Sequence, residues 1–287
     1  MPWRLTRCLQ DFLDVAGDYL RTEPARNTVM LTILESLRQR GLAVYGDTPP
    51  IFGWHTDAAR LTDGALLQTP PYPVLLAPLP EGSVPDLIEL LTESGSPLAA
   101  VNLAGPDEAS VSAAWAAVTA GGTVTARTRS RLFWLAGLVP PDPAPAGCAR
   151  VATDGDLGLL VSWHAAFADE AESIAIEPER TVRDRMSYGG IMLWEADAEP
   201  VAMAALSREV AGVTRVVTVY TPPRFRRCGY GGAITTTVSQ AALDAGAAQV
   251  VLYTDVANPT SNALYQRLGY RPVEDRVLLD LQPGSIP

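Results

Sequence analysis

The alternation of apolar and polar residues in the first half of the chain predicts helices and strands in turn. Leu9 to Arg40 has helical spacing, and Glu23-Pro24 divides this segment into two helices. Short β-like runs and two further helices follow it. The strands are expected at Ile51 to His55, Ala65 to Gln68, Pro73 to Ala77, Leu98 to Leu103 and Thr123 to Thr128, and the helices at Val84 to Thr92 and Glu108 to Thr119. This alternation favours a layered fold with both α and β elements.

The second half has a clearer order: two helices, three strands, then helix, strand, helix and strand. The helices are expected at Asp154 to Glu172, Pro178 to Ser187, within Arg226 to Ala245 and at Pro259 to Leu268, and the strands at Gly190 to Glu195, Val201 to Arg208, Val213 to Thr221, Gln249 to Thr254 and Arg276 to Leu281. Asp154 or Asp156 is the expected cap of the first of these helices. The first two strands are expected to form a hairpin.

A proline-rich stretch separates the two halves. The residues from Val139 to Gly147 contain too many prolines for regular structure, and a chain of 287 residues has room for two domains. The predicted domains are therefore residues 1–145 and 146–287.

Charge and composition exclude several classes of function. Lys and Arg number 22 against 32 Asp and Glu, and the net charge of −10 argues against nucleic acid as a partner. No apolar run reaches the ~20 residues of a membrane span, and the first residues are not a secretory signal, so a cytoplasmic protein is expected. Three scattered cysteines and two histidines predict neither disulfides nor a metal site. Every basic residue is Arg, which excludes Schiff-base and P-loop lysines; this bias suggests a GC-rich bacterial source.

The junction after the third strand of the second half carries the sharpest chemical signal. Its sequence is VYTPPRFRRCGYGGA, from Val219 to Ala233. Pro222-Pro223 ends the strand ladder, and the glycines that follow open a helix whose free N–H groups and dipole favour an anion. Arg226 and Arg227 add positive charge. A dinucleotide fingerprint fits poorly, because the glycines read G-x-G-G and follow the third strand rather than the first.

Two segments resemble motifs of the GNAT N-acetyltransferase superfamily. The run from Arg226 to Gly231 matches the acetyl-CoA motif R/Q-x-x-G-x-G/A in full. The run from Asn258 to Tyr270 is similar to the helix motif N-x-x-A-x-x-L-Y-x-K-x-G-F, with Ser261, Arg267 and Tyr270 as mild departures. The second half therefore resembles a GNAT domain. The resemblance implies an α+β fold with a mixed, mostly antiparallel sheet flanked by helices.

The same resemblance implies roles for individual residues. The implied cofactor-binding residues are Val219, Tyr220 and Thr221 beside the pantetheine arm, Arg226, Arg227, Cys228, Gly229, Tyr230, Gly231 and Gly232 around the pyrophosphate, and Asn258 at the pantetheine. Tyr265 would place its hydroxyl near the CoA sulfur as a general acid. The co-substrate is acetyl-CoA, without a metal.

The group that removes the proton from the amine is less visible in the sequence. Glu170 is taken as the candidate base, with the neighbouring Glu172 as an equivalent choice. Glu209 and Asp255 are further carboxylates near strand ends, and His164 lies on a helix face. Each of these side chains is also compatible with an ordinary solvated or packing role.

The predicted function is acetyl transfer from acetyl-CoA to a primary amine, by direct attack in a ternary complex. A small-molecule amine is the expected acceptor, and the protein is expected to be a monomer or homodimer without nucleic acid or membrane partners. Two alternatives stay open: a non-catalytic sensor of CoA or acyl-CoA, and an acetyltransferase of protein amines. The first half is expected to be a degenerate GNAT-like domain, because its length and its alternation of strands and helices are similar to those of the second half. It is not expected to bind CoA, since Ala104 to Glu108 has acid after the strand where a phosphate loop needs donors.

Overall fold

A computed structural model describes residues 3–95, 98–171 and 177–284. The strands are β1 (Trp3–Thr6), β2 (Ile51–Thr56), β3 (Thr62–Gln68), β4 (Val74–Leu76), β5 (Ala100–Ala104), β6 (Thr123–Leu135), β7 (Cys148–Val151), β8 (Ile191–Ala196), β9 (Glu199–Leu206), β10 (Val213–Tyr220), β11 (Gln249–Asp255) and β12 (Tyr270–Gln282). The α-helices are α1 (Leu9–Thr22), α2 (Thr28–Arg40), α3 (Val84–Glu93), α4 (Glu108–Val118), α5 (Leu157–Glu170), α6 (Pro178–Met186), α7 (Tyr230–Asp244) and α8 (Pro259–Arg267). No helix in these ranges is long and apolar enough to cross a membrane.

The chain forms two compact units. The first unit comprises Met1–Arg131 together with Glu274–Pro287, and the second comprises Leu132–Val273. The divisions fall inside β6 and β12, whereas the boundary predicted between residues 145 and 146 lies in the proline-rich stretch. Proline content marks where the chain is irregular, but compactness depends on which strands pair, and that is a long-range property.

In the first unit the strand order is β1-β2-β3-β4-β5-β12. The first four strands are joined by antiparallel pairing, β4 and β5 are parallel, and β12 is antiparallel to β5. The main core of this unit includes the apolar faces of α3 and α4 and three residues of the final strand: Val277, Leu279 and Leu281. Their alternation along β12 is the period of two that places every second residue on one face of a sheet.

In the second unit the strand order is β6-β11-β10-β9-β8-β7. Strands β7 to β10 are antiparallel neighbours, and β10 is parallel to β11. Alternate residues of β9 serve two cores. Ala202 and Ala204 pack with α7 and α8, whereas Met203 and Ala205 pack with α5 and α6. The predicted mixed, mostly antiparallel sheet flanked by helices is therefore confirmed.

Each half of the chain repeats one order of elements: strand, two helices, three strands, helix, strand, helix, strand. In each, the fourth strand pairs in parallel with the fifth, β4 with β5 and β10 with β11. The first half therefore has the tandem GNAT-like topology that the sequence analysis expected. The helices and most strands of both halves lie close to their predicted positions.

The differences from prediction are local. The short strands β1 and β7 were missed, and β6 and β12 are longer than expected. The helix predicted from Asp154 begins with a 3-10 turn, Asp154–Asp156, and α5 ends at Glu170, while Glu172 lies outside the described residues. Thr153 is the cap of this turn, because Asp156 accepts hydrogen bonds from its N–H and its hydroxyl. Asp156 is the N-cap residue of α5, as expected, but its side chain makes no cap hydrogen bond to that helix and completes a capping box with Thr153 instead.

Candidate active site

Strands β10 and β11 separate in the middle of β10. Their parallel pairing runs from Val213 to Val216 and ends there. Two residues later Thr218 has a φ of +43°, and the register against β9 shifts between Val217 and Tyr220. One extra residue in β10 forms a bulge, which turns the strand away from its neighbour. The last residues of β10 and Thr221 therefore have a main-chain edge that β11 does not cover, as expected for Val219, Tyr220 and Thr221.

The segment after β10 presents a run of free N–H groups. Arg227 and Gly229 have left-handed φ values of +66° and +84°, and α7 begins at Tyr230. Within the described part of the chain, none of the backbone N–H groups from Arg227 through Gly232 has an acceptor, whereas Ala233 N–H donates to Gly229 O. Alternating backbone conformations before a helix N-terminus form a concave anion site. The segment from Arg227 through Gly232 therefore has the backbone geometry of an anion site.

The three glycines of this loop meet different requirements. Gly229 has the left-handed φ that glycine tolerates best. At Gly232 an added Cβ would lie 3.3 Å from Leu264 Cδ1, so this residue allows α7 to approach α8. At Gly231 an added Cβ would meet only Thr221 Oγ1, at 3.5 Å. Gly231 therefore faces the open space beside the end of β10.

Arg226 joins the end of β10 to the end of α5. Its Nε donates to Thr221 O at 2.9 Å, and its Nη2 donates to both carboxylate oxygens of Glu170, at 2.7 and 2.6 Å. Tyr220 is buried beside this pair; burial and the nearby Glu170 carboxylate raise its pKa. The structure thus brings Glu170 to the predicted cofactor loop. The hydrogen bonds to Thr221 and Glu170 fix the position of the Arg226 side chain between the end of β10 and the end of α5.

Helix α8 carries Asn258 and Tyr265. Asn258 Oδ1 accepts the N–H of Ser261 at 3.0 Å, so its side chain caps the helix. Tyr265 is 8% exposed, and its ring centre lies 6.4 Å from that of Phe133 and 6.1 Å from that of Tyr270. In the described residues its hydroxyl has no hydrogen-bond partner. Burial, and secondarily Tyr270, raise its pKa, so this phenol keeps its proton at neutral pH.

The other candidate bases have different surroundings. Glu209 Oε1 accepts the N–H of Gly212 at 2.6 Å, and Asp255 Oδ1 accepts the N–H of Ala257 at 2.8 Å. Both carboxylates therefore cap turns. Burial, and then the positive charge of Arg185, lower the pKa of His164 to about 4, so its imidazole is neutral at pH 7. The exposed Cys228 has its thiol 3.5 Å from Arg226 O.

The sequence analysis missed two residues at the start of the strand separation. Arg185, in the last turn of α6, donates a hydrogen bond of 3.0 Å from Nη1 to Thr218 Oγ1 at the bulge. No sequence signal marks either residue, since they are distant in the chain and a β-branched residue has no preference for a positive φ. Among the described residues there is no group of three or more His, Cys, Asp or Glu side chains arranged to hold a metal ion.

Residues 157–270 match the model of the acetyltransferase (GNAT) family. The matched segment includes the separated strands, the loop before α7 and all of α8. The second half of this chain therefore contains a GNAT acetyltransferase domain, a class of domain that uses acetyl-CoA as its co-substrate. Comparison of the sequence with curated proteins gives no significant match.

Solved structures of GNAT proteins share the fold over both halves. A GCN5-related N-acetyltransferase from Sphaerobacter thermophilus has a TM-score of 0.61 at 14% identity, covering 100% of this chain and 98% of its own. An acetyltransferase of the GNAT family from Colwellia psychrerythraea has a TM-score of 0.60 at 11% identity, covering 98% of this chain and 100% of its own. A tandem GNAT protein from the clavulanic acid biosynthesis pathway has a TM-score of 0.56 at 13% identity, covering 99% of this chain and 100% of its own. At these identities the likeness concerns the fold.

Proposed function

We propose that this protein is an acetyl-CoA-dependent N-acetyltransferase that acetylates a primary amine of a small molecule by direct attack in a ternary complex. The observation that carries the proposal is the run of free N–H groups from Arg227 through Gly232, placed directly beyond the uncovered edge of β10. A ligand with amide groups along an extended arm and a pyrophosphate at one end satisfies both features together. Coenzyme A has that chemistry.

In this proposal the residues divide into a binding set and a reacting set. Val219, Tyr220 and Thr221 offer main-chain groups to the pantetheine amides, and Asn258 offers its side-chain amide N–H. Arg227, Cys228, Gly229, Tyr230, Gly231 and Gly232 donate N–H groups to the pyrophosphate, while Arg226 supplies positive charge nearby. Holding both reactants in one site converts a bimolecular reaction into an effectively unimolecular one.

The reaction forms a bond between the amine nitrogen and the acetyl carbon and breaks the bond from that carbon to sulfur. Tyr265, whose phenol is protonated at neutral pH, donates its proton to the departing sulfur, and water afterwards returns a proton to the phenolate. Glu170 is the proposed acceptor of the amine proton. Its side chain is 46% exposed despite the ion pair with Arg226, so water can carry the proton to it.

We propose that the first unit is a degenerate copy without a cofactor site. The main-chain oxygen at the end of β4 already has a partner within the protein, because Arg276 Nη2 donates to Leu76 O at 2.7 Å. The same nitrogen donates to Asn102 O at 3.2 Å. The counterpart of the anion loop is the segment between β4 and α3, rather than the segment after β5 that the sequence analysis compared. There Ser83 N–H is bonded to Pro80 O, and Pro85 has no N–H to donate. One CoA per chain is expected.

The binding site is tested by titration calorimetry of acetyl-CoA into the wild type and the Gly231→Asp variant. The substitution adds a carboxylate to the anion loop, at a position where an added Cβ has room. The matched control is Gly158→Asp, because Gly158 is likewise the second residue of its helix, α5, with no atom near an added Cβ. We expect acetyl-CoA affinity to fall by more than roughly tenfold in Gly231→Asp, through repulsion between like charges, and to persist in the control. Equal affinities would overturn the proposed site.

A further inference from the structure

Arg185 lies at the end of the cleft that is opposite the anion loop. Its guanidinium contacts Thr218, where β10 first leaves β11, whereas the free N–H groups begin at Arg227, beyond the end of the strand. A pantetheine arm that runs along β10 from the anion loop therefore places its reactive end toward Thr218. Arg185 is thus on the side from which an acceptor approaches.

The guanidinium of Arg185 differs from its neighbours in having no ion-pair partner in the described part of the chain. Arg183, two residues away on the same helix, pairs with Glu179 at 2.8 Å, and Arg208 pairs with Asp184 at 3.3 Å. Arg185 is also partly buried. A cation removed from water without a carboxylate partner is costly, and a bound anion offsets that cost.

Several ionisable groups near Arg185 affect how readily its guanidinium carries a charge. Burial lowers its pKa; the neighbouring Tyr188 and Asp184 act in the opposite direction, and the positive charge of Arg215 lowers it further. On the neighbouring helix α5, His164 is neutral at pH 7 and adds no charge of its own. Two arginines, Arg185 and Arg215, and the carboxylate of Asp184 thus interact at the acceptor end of the proposed cleft, and Arg185 has no ion-pair partner of its own in the described residues.

We propose that the acceptor amine carries an anionic group, a carboxylate or a phosphate, and that Arg185 binds this group and so determines specificity. The inference rests on the proposed acetyltransferase function and adds the class of acceptor to it. A planar guanidinium presents paired N–H donors that match both oxyanions. Thr218 orients the side chain by accepting one of its hydrogen bonds.

Two matched pairs of amines test this assignment. β-Alanine is compared with propanolamine, and phosphoethanolamine with ethanolamine, by release of the CoA thiol at varied amine concentration. We expect wild-type kcat/KM to favour one anionic member over its neutral partner by roughly 10- to 100-fold, as a hydrogen-bonded charge pair provides. The pair that shows the larger ratio identifies a carboxylate or a phosphate.

Arg185→Gln should bring that ratio close to one, mainly through KM, and Arg185→Lys should retain part of it. Arg183→Gln is the control, because its exposed side chain pairs with Glu179 away from the cleft. A purely structural role for Arg185 would lower the values for both members of a pair and leave their ratio unchanged. Such a result, or a wild-type ratio near one, overturns the inference.

The failure of the proposed function is recognised separately. If no amine releases thiol, acetyl transfer to small amines is wrong, and calorimetric titration of the CoA-saturated protein with the same amines then decides the role of Arg185. Preferential binding of an anionic amine that is lost in Arg185→Gln supports it. Equal binding of both members of each pair, or a preference that survives the substitution, contradicts it.

Discussion

Nη2 of Arg276 donates a hydrogen bond of 2.7 Å to the main-chain oxygen of Leu76, at the point where β4 ends. The equivalent strand of the second unit, β10, leaves its edge uncovered at the corresponding place. A buried guanidinium thus occupies in one unit the position that is open in the other. The two units share a topology, and this contact is a physical reason to expect that the first unit does not bind the cofactor as proposed for the second.

Replacing Arg276 by Ala should destabilise the protein without creating a second cofactor site. The side chain is 5% exposed and its bonds satisfy buried acceptors of Leu76 and Asn102, so the free energy of unfolding should fall by about 2–4 kcal/mol. Urea unfolding measures the change, and calorimetry should still give one acetyl-CoA per chain. Arg38→Ala, in an exposed pair of the same unit, should unfold like the wild type. A binding stoichiometry of two would contradict the proposal that the segment between β4 and α3 lacks the N–H donors that a cofactor needs.

Tyr265→Phe should lower kcat by about 10²-fold while the acetyl-CoA affinity stays close to that of the wild type. The hydroxyl makes no hydrogen bond in the described residues, so its removal should also leave stability nearly unchanged. Tyr270→Phe is the opposite control. Its hydroxyl lies 2.6 Å from Ser239 Oγ, so this change should cost about 1 kcal/mol of stability and leave the rate almost intact. Full activity of Tyr265→Phe would exclude the general acid.

The ion pair of Asp156 with Arg150 should make stability depend on acid pH. Hydrogen bonds from Arg150, and then from Thr153, hold the pKa of Asp156 well below its usual range. The contribution is therefore complete above the unfolded pKa of about 3.9 and is lost as pH falls below it toward the lower folded value. Asp156→Asn should cost about 1–3 kcal/mol at pH 7 and progressively less below pH ~4, as measured by urea unfolding. Asp154→Asn, in the same turn, is the control; a pH-independent difference would contradict the mechanism.

Truncation to alanine should change the free energy of unfolding very differently at two adjacent residues of β6. Phe133 is fully buried in the core that contains Tyr265, whereas Trp134 is 42% exposed. Phe133→Ala should therefore lower the free energy of unfolding by about 3–5 kcal/mol, and Trp134→Ala should have little effect. The fragment 146–287 lacks Phe133 and should fail to unfold cooperatively in a calorimetric scan. A sharp transition for that fragment would show that the predicted boundary defines an independent folding unit.

Local patterns predicted most of the elements of this protein. Apolar spacing located the helices and most strands, and Pro222-Pro223 with the following glycines located the anion loop, since these residues limit the backbone of their own neighbourhood. The resemblance of two short motifs to GNAT sequences then pointed to Tyr265 and to the residues around Gly229. These inferences needed no knowledge of what lies across the sheet.

Tertiary structure alone decided the rest, because strand pairing and buried charge depend on residues far apart in the chain. Arg276 reaches Leu76 across 200 positions, and Arg185 reaches Thr218 across 33. The bulge at Thr218 follows from pairing with β9, and the final strand completes the first unit by pairing with β5. Local propensity carries no information on such partners. The sequence by itself therefore determined the class of site, and the fold determined which groups surround it.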